Sequence, residues 1–258
     1  MSVKDRFNAV IRPLQFIWLS FRLHLHAMKE AIRKDGFASL GHLRQIQDVA
    51  TAELFIKNSD GFIAYEDTTC VPALMRSAQG RILELGPGPG NQIHRYDLSR
   101  VDYIYAVDPN CCYGDEIAAR TKRLNMEGKY KILACHIEDS DVLLNEGIEE
   151  GSIDTVLSIQ VLCSVADVKS VMKAVWKLLK PGGNFIFWEH ERNKDSLTAV
   201  SQACLNPAWS TFIGCQLTRN ILPDILAAGE WENPNEVVIA DEPYSPLPRT
   251  WGMLKKKA

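Results

Sequence analysis

The sequence predicts an α/β fold: a mostly parallel sheet flanked by helices, with a helical extension in front of it. Three observations predict it. Residues before about 80 carry apolar side chains at helical spacing; from Arg81 short apolar runs alternate with helical patterns; and the first such run ends in a glycine-rich turn. The chain divides on this pattern into a helical extension or lid, 1–79, and an α/β domain, 80–258.

In the extension, helical spacing runs through Phe7–Ile32 and again through Leu40–Phe55, with Gly36 and Gly41 between. Phe7–Met28 is rich in Phe, Trp, Leu and Ile, but Arg12 and Arg22 interrupt it. Its uncharged stretch, Pro13–Phe21, falls short of the roughly 20 apolar residues a membrane span needs. No small-residue cleavage site follows, which argues against a signal peptide. Two readings stay open: a helical lid on the core, or an amphipathic helix on a membrane surface with Arg6, Arg12 and Arg22 toward anionic headgroups.

In the second part the expected strands are Arg81–Leu85, Tyr103–Val107, Tyr130–Ala134, Ile153–Ile159 and Asn184–Trp188. Expected helices are Asn91–Tyr96, Cys111–Asn125 and Val168–Leu179, the last stopped by Lys180-Pro181-Gly182-Gly183. More helix follows Lys194, including a segment that Thr218 would cap. Val237–Ala240 and Thr250–Leu254 read as a closing hairpin, and Lys255-Lys256-Lys257 as a solvated end.

Composition removes several function classes. A net charge of −3 gives no electrostatic reason to expect nucleic acid. Seven cysteines, an odd number with no Cys-x-x-Cys pair, argue for a reducing, cytoplasmic compartment and against a metal site. The adjacent Cys111 and Cys112 read as helix-start packing.

The chemistry is carried by Ile-Leu-Glu-Leu-Gly-Pro-Gly-Pro-Gly-Asn at 82–91. Gly86, Gly88 and Gly90 let a ligand lie against the backbone after a strand that ends near Glu84. A dinucleotide loop needs its third glycine at 91, where Asn91 stands, and Pro87 and Pro89 remove two N–H donors. A loop so poor in donors suits a phosphate-free nucleoside such as S-adenosylmethionine. Asp108, before Pro109 and roughly 20 residues on, is placed for ribose hydroxyls. Glu138 and Asp139, after the third strand, are placed for the adenine amino group. The apolar segment Ser158–Ser164, which contains Gln160, is expected above the glycine loop and under the sulfonium.

Glu-Leu-Gly-Pro-Gly-Pro-Gly, Val-Asp-Pro-Asn, Ile-Glu-Asp, Ile-Asp-Thr-Val-Leu and Leu-Leu-Lys-Pro-Gly-Gly occur in this order between about 80 and 190. As a set they resemble class I S-adenosylmethionine-dependent methyltransferases, a Rossmann-like fold. Val161-Leu162-Cys163-Ser164-Val165, Glu189-His190, Asn206-Pro207-Ala208-Trp209 and Gly214-Cys215 followed by Leu217-Thr218-Arg219 extend the likeness. They resemble the methyltransferase-like family that includes membrane-associated alkyl thiol methyltransferases. The first 80 residues depart from it, with a longer helical stretch broken by charges in place of a short hydrophobic anchor.

The resemblance implies methyl transfer from S-adenosylmethionine to a small lipophilic acceptor, with a thiol leading. An oxygen or nitrogen of a specialised metabolite is the alternative, and a silent binding protein on the same fold is another. His190, at the end of the fifth strand, is the expected general base. Glu189 is expected to orient its ring or line the pocket. Cys163, Trp188, Trp209 and Arg219 are the expected acceptor-side residues, Arg219 either on an acidic group or in a helix-start ion pair. The stretch Ser-Ile-Gln-Val after the fourth strand lacks the Asn/Asp-Pro-Pro-Tyr/Phe pattern of nucleobase amino methylation, which argues against a nucleic-acid partner.

Overall fold

The computed structural model describes residues 3–258, with side chains from Ile11 onward. Helices α1 (Val3–Asp35), α2 (Leu43–Lys57), α3 (Ser59–Glu66) and α4 (Val71–Ser77) come first, and Arg6 and Phe7 lie outside the described side chains. Strands β1 (Gly80–Leu85), β2 (Val101–Val107), β3 (Tyr130–Leu133), β4 (Ile153–Ile159) and β5 (Leu179–His190) follow. Helices α5 (Gly114–Arg123), α6 (Ser140–Asn145) and α7 (Val168–Leu178) alternate with them. After α8 (Ser196–Ile213) and α9 (Leu222–Leu226) the chain closes with β6 (Val238–Ile239) and β7 (Arg249–Lys255).

The seven strands run in the order β3-β2-β1-β4-β5-β7-β6. The first five pair in parallel; β7 pairs antiparallel with β5 and β6. The order reverses between β1 and β4, and open α/β sheets bind ligands at the carboxyl ends beside such a switch. The fold expectation therefore holds, including the closing hairpin.

Apolar side chains fill both faces, as a parallel sheet requires. One face packs Val156, Phe185 and Phe187 against α7, α8 and α9; the other packs Ile82, Ile104 and Ile186 under α4 and α5. The first helix belongs to the larger cluster through Ile17. Its Phe16 lies 6.0 Å from Trp209 of α8, and its Ser20 hydroxyl donates to the Phe212 carbonyl at 2.5 Å. Among the described residues no helix is long and apolar enough to cross a membrane.

Four local expectations need correction. No α-helix follows the glycine turn: only a 3-10 turn, Ile93–Arg95, forms where Asn91–Tyr96 was expected. Gln92 and Arg95 are drawn into bonds to the buried Glu66, and Tyr96 to Glu84, so tertiary contacts override helical spacing. Thr218 caps nothing; α9 starts at Leu222, whose N–H donates to the Glu191 carboxylate at 3.1 Å. Lys256 is not a solvated end: its Nζ donates to the carbonyls of Trp176 and Leu179 and sits 5.0 Å above the Trp176 ring, and burial lowers its pKa. Cys111 and Cys112 are exposed rather than packed.

Candidate active site

Leu85 delivers the chain to Gly86, Gly88 and Gly90, whose φ values are 50°, 53° and 80°, a region costly for residues with a Cβ. Their surroundings differ. A Cβ on Gly86 would lie 2.8 Å from Val161, and one on Gly90 would lie 2.6 Å from Ile93, so those two positions serve close packing. A Cβ on Gly88 would meet nothing within 4 Å, so there the backbone opens onto free space.

Asp108 borders that space. Its Oδ2 accepts from the Gly88 N–H at 3.2 Å and its Oδ1 from the Asn110 N–H at 2.9 Å. The turn role and a sugar-facing role thus share one carboxylate. Burial pushes its pKa up to about 6, against the pull of those two amides. Pro109 beside it is exposed. Asn110 reaches back through Nδ2 to the Asp48 carbonyl at 2.9 Å, which lays α2 over this end of the sheet. Asn91 accepts a hydrogen bond from the Ser59 hydroxyl, and Arg120 donates to the same hydroxyl at 2.8 Å.

Glu84 turns one oxygen into the core: it is 2% exposed, and its Oε2 accepts from the hydroxyls of Tyr96 and Tyr130, each at 2.9 Å. Burial is the main cause that lifts its pKa to about 7, with the nearby Asp108 adding to it. Glu138 is exposed, and Asp139 closes its own turn by accepting from the His136 N–H at 2.7 Å. That is the behaviour of a surface turn.

Beyond β4 the groups come from distant parts of the chain. Gln160 takes φ 62°, a strained value for a residue with a side chain. It donates to Glu66 at 2.9 Å and accepts from Arg249 at 2.9 Å. Arg249 opens β7 opposite His190 and stacks 4.1 Å above Trp188. Its Nε and Nη1 are buried without a partner. Trp188 is wholly buried under this cation, so it supports the wall and does not line it.

Glu189 makes no hydrogen bond to His190, and its Oε2 is buried without a partner. Neighbouring residues of a strand point to opposite faces. Its Oε1 accepts from the Ser158 hydroxyl at 2.7 Å and the Val161 N–H at 2.9 Å, which fixes the loop after β4. Burial raises its pKa. Arg219 fits neither expectation: it donates to the carbonyls of Leu162, Val165 and Ala166 and so holds the same loop. Trp209 is buried against Phe16, with its Nε1 unpaired.

His190 is 2% exposed. Its Nε2 lies 2.9 Å from the Cys215 sulfur, and its Nδ1 has no partner. The sulfur of Cys163 completes a buried group with these two. The neighbouring Cys215 thiol and then burial keep the Cys163 thiol well above its usual pKa. Glu66, Cys215 and Arg249 were not assigned to the site from sequence. For Arg249 the sequence offers only its place one residue before the strand expected at Thr250–Leu254.

Residues 83–187 match the family model described as a methyltransferase domain. Residues 83–187 thus resemble a methyltransferase domain, set on a seven-stranded, mostly parallel sheet. Thiol S-methyltransferase TMT1B of Rattus norvegicus is 31% identical over 162 residues, 59% of this chain and 63% of that protein. Thiol S-methyltransferase TMT1A of Homo sapiens is 40% identical over 74 residues, 28% of this chain and 30% of that protein. The chain thus spans less than two thirds of these relatives. The N-methyltransferase NodS of Bradyrhizobium japonicum WM9, solved with S-adenosyl-L-homocysteine, shares the fold at 16% identity. Its TM-score is 0.52, over 76% of this chain and 88% of that one.

The residues fit the cofactor of such domains. The open backbone at Gly88 and the buried Asp108 carboxylate beside it leave a cradle for a ribose, and Pro87 and Pro89 leave few donors for a phosphate.

Proposed function

We propose that this protein transfers a methyl group from S-adenosylmethionine to a small, lipophilic thiol. The observation that carries the reading is His190, at the carboxyl end of β5, with one ring nitrogen unpaired and two sulfurs beside it. Similarity to thiol S-methyltransferases supports the same acceptor.

S-adenosylmethionine supplies a methyl group on a sulfonium centre. Asp108 would accept hydrogen bonds from its ribose and the open backbone at Gly88 would carry it, while Gly86 and Gly90 close the turn against Val161 and Ile93, with Asn91 and Pro109 bordering it. Glu138 and Asp139, in a surface turn, take no part in this reading. Gln160, held between Glu66 and Arg249, presents a fixed polar edge where the loop after β4 passes Gly86. Glu189 and Arg219 hold that loop still, and holding two reactants in line is worth roughly 7–11 kcal/mol. Thiols need little more, because a free thiol of pKa about 8.5 is already partly ionised near neutrality. His190 is the group placed to favour loss of the acceptor proton. The buried indole of Trp209 and the ring of Phe16 form an apolar wall that excludes water.

The test is release of S-adenosylhomocysteine over a panel of small thiols, phenols and amines, with products identified by mass. Turnover of thiols above the other classes is expected. Turnover confined to phenols or amines overturns the thiol assignment, and cofactor binding without any product overturns catalysis.

A further inference from the structure

The sulfurs of Cys163 and Cys215 and a ring nitrogen of His190 lie within 4.8 Å of one another, all three side chains buried. They come from three separate places: the loop after β4, the last residue of β5 and the turn after α8. That each is delivered to one point by its own restraint sets them apart from incidental core packing. Arg219 and Glu189 pin the loop that carries Cys163. The Gln216 N–H donates to the Cys163 carbonyl at 3.0 Å and so joins the loops of the two cysteines. Gly214, at φ 82°, ends α8 in the left-handed turn that directs Cys215 inward. Asn206 bonds the Gln216 side chain at 2.9 Å and the Leu217 N–H at 2.7 Å.

We infer that Cys163, His190 and Cys215 form a zinc-type metal site whose fourth position takes the acceptor as a thiolate. The inference rests on the thiol reading above and deepens it. Two thiolates and an imidazole are a donor set that zinc prefers, and three protein ligands leave the open position of a reactive site. Among the described residues no further His, Cys, Asp or Glu joins the group. A tetrahedral zinc at ~2.3 Å from sulfur and ~2.0 Å from nitrogen sets its ligand atoms roughly 3.5–3.8 Å apart. The 2.9 Å contact between His190 and Cys215 therefore opens by roughly 0.6 Å on loading. The site lies where the reaction needs it: Cys163 is two residues beyond Val161, which covers Gly86 of the donor turn.

The chemistry balances without an oxidant. The acceptor's S–H bond breaks as its sulfur binds the metal, and the proton goes to solvent. The bound thiolate attacks the methyl carbon, a new sulfur–carbon bond forms, and the bond from that carbon to the sulfonium sulfur breaks. That electron pair stays on S-adenosylhomocysteine. The product thioether is neutral, a weak ligand, and leaves. His190 then acts as a ligand, and the ion does the work of acidifying the thiol.

The test is metal content and cobalt spectroscopy of the full-length protein, purified without chelator. About one zinc per chain is expected. Cobalt in its place should give a thiolate-to-metal charge-transfer band. Thiophenol, added without S-adenosylmethionine, should shift the visible cobalt bands. Cys163→Ser and Cys215→Ser should each weaken the charge-transfer band, and His190→Ala should lower metal content. Should those variants fail to fold, the wild-type cobalt spectrum alone decides. Folded wild-type protein that takes up neither metal overturns the site, as does a Cys163–Cys215 disulfide in its place. A cobalt spectrum unmoved by thiophenol overturns acceptor ligation. Thiol turnover by metal-free protein would sink this inference and leave the thiol assignment standing, whereas a loaded, thiol-responsive protein that methylates only phenols or amines would do the reverse.

Discussion

Over β1 and β2 the groups of the candidate site come from one short stretch, Leu85 to Asn110, and most of them are backbone. Beyond β4 they are side chains gathered from Glu66, Gln160, His190, Cys215 and Arg249. The first half needs only a strand, a turn rich in glycine and an acidic residue at the end of the next strand, all set by local sequence. The second needs α8, α9 and β7 to be in place. Its positions are held by hydrogen bonds to carbonyl groups, such as those of Arg219, rather than by a motif. On the proposed reading a short local device would hold the cofactor, and a distributed one the acceptor.

The largest expected effect tests how much stability the donor half gives up. Glu84 has its pKa raised from 4.5 to about 7 by burial. Below pH 4.5 the carboxyl is protonated in folded and unfolded chains alike. Between about 4.5 and 7 only the folded chain keeps the proton, so stability falls as pH rises through this window and levels off above it. Both tyrosines bond the same oxygen, so Glu84→Gln preserves both acceptor contacts. The variant should gain on the order of 3 kcal/mol above pH 7 and nothing below the window, read by urea unfolding. A loss at every pH would mean the buried carboxyl is not a burden.

Asp108→Ala should weaken S-adenosylmethionine binding by roughly 10- to 150-fold, the worth of a charged hydrogen bond of about 1.5–3 kcal/mol. In the wild type, affinity should rise with pH through about 6, as the raised carboxyl ionises, and Asp108→Asn should flatten that rise. Calorimetry checks both, and unchanged affinity in the alanine variant would break the assignment of the donor half.

Arg219→Met should separate the halves. It removes donors from three carbonyls of the loop after β4, so turnover should fall several-fold while cofactor affinity stays within about twofold. Equal loss of both would show the halves to be one unit. Lys256→Met gives the smallest effect. It removes two bonds to carbonyls and a contact with Trp176, and should cost about 1 kcal/mol of stability with no change in cofactor affinity.

The same contrast explains what could be read from sequence. The strands and the closing hairpin were legible because apolar runs bounded by turn residues fix them locally. The glycine turn and Asp108 were legible because their spacing is short. The missing helix at Asn91–Tyr96, Thr218 without a helix to cap and the half-buried Lys256 were not. In each case a side chain answers to a partner far along the chain: Gln92 and Arg95 to Glu66, Arg219 to the loop after β4, Lys256 to Trp176. The bonds of Glu84 and Glu189 were not legible for a related reason. An acidic residue at a strand end shows its partners only once the pleat fixes which face it takes.

The place of β7 has a consequence for how the protein is made. It lies between β5 and β6, yet it leaves the ribosome after the other six strands of the sheet. Until Arg249–Lys255 emerge, β5 has a bare flank beside Phe185, Phe187 and Trp188, an edge open to pairing with other chains. A nascent or prematurely stopped chain would therefore hold a formed nucleoside cradle beside a sticky margin. Such products should be the ones that chaperones retain and proteases clear.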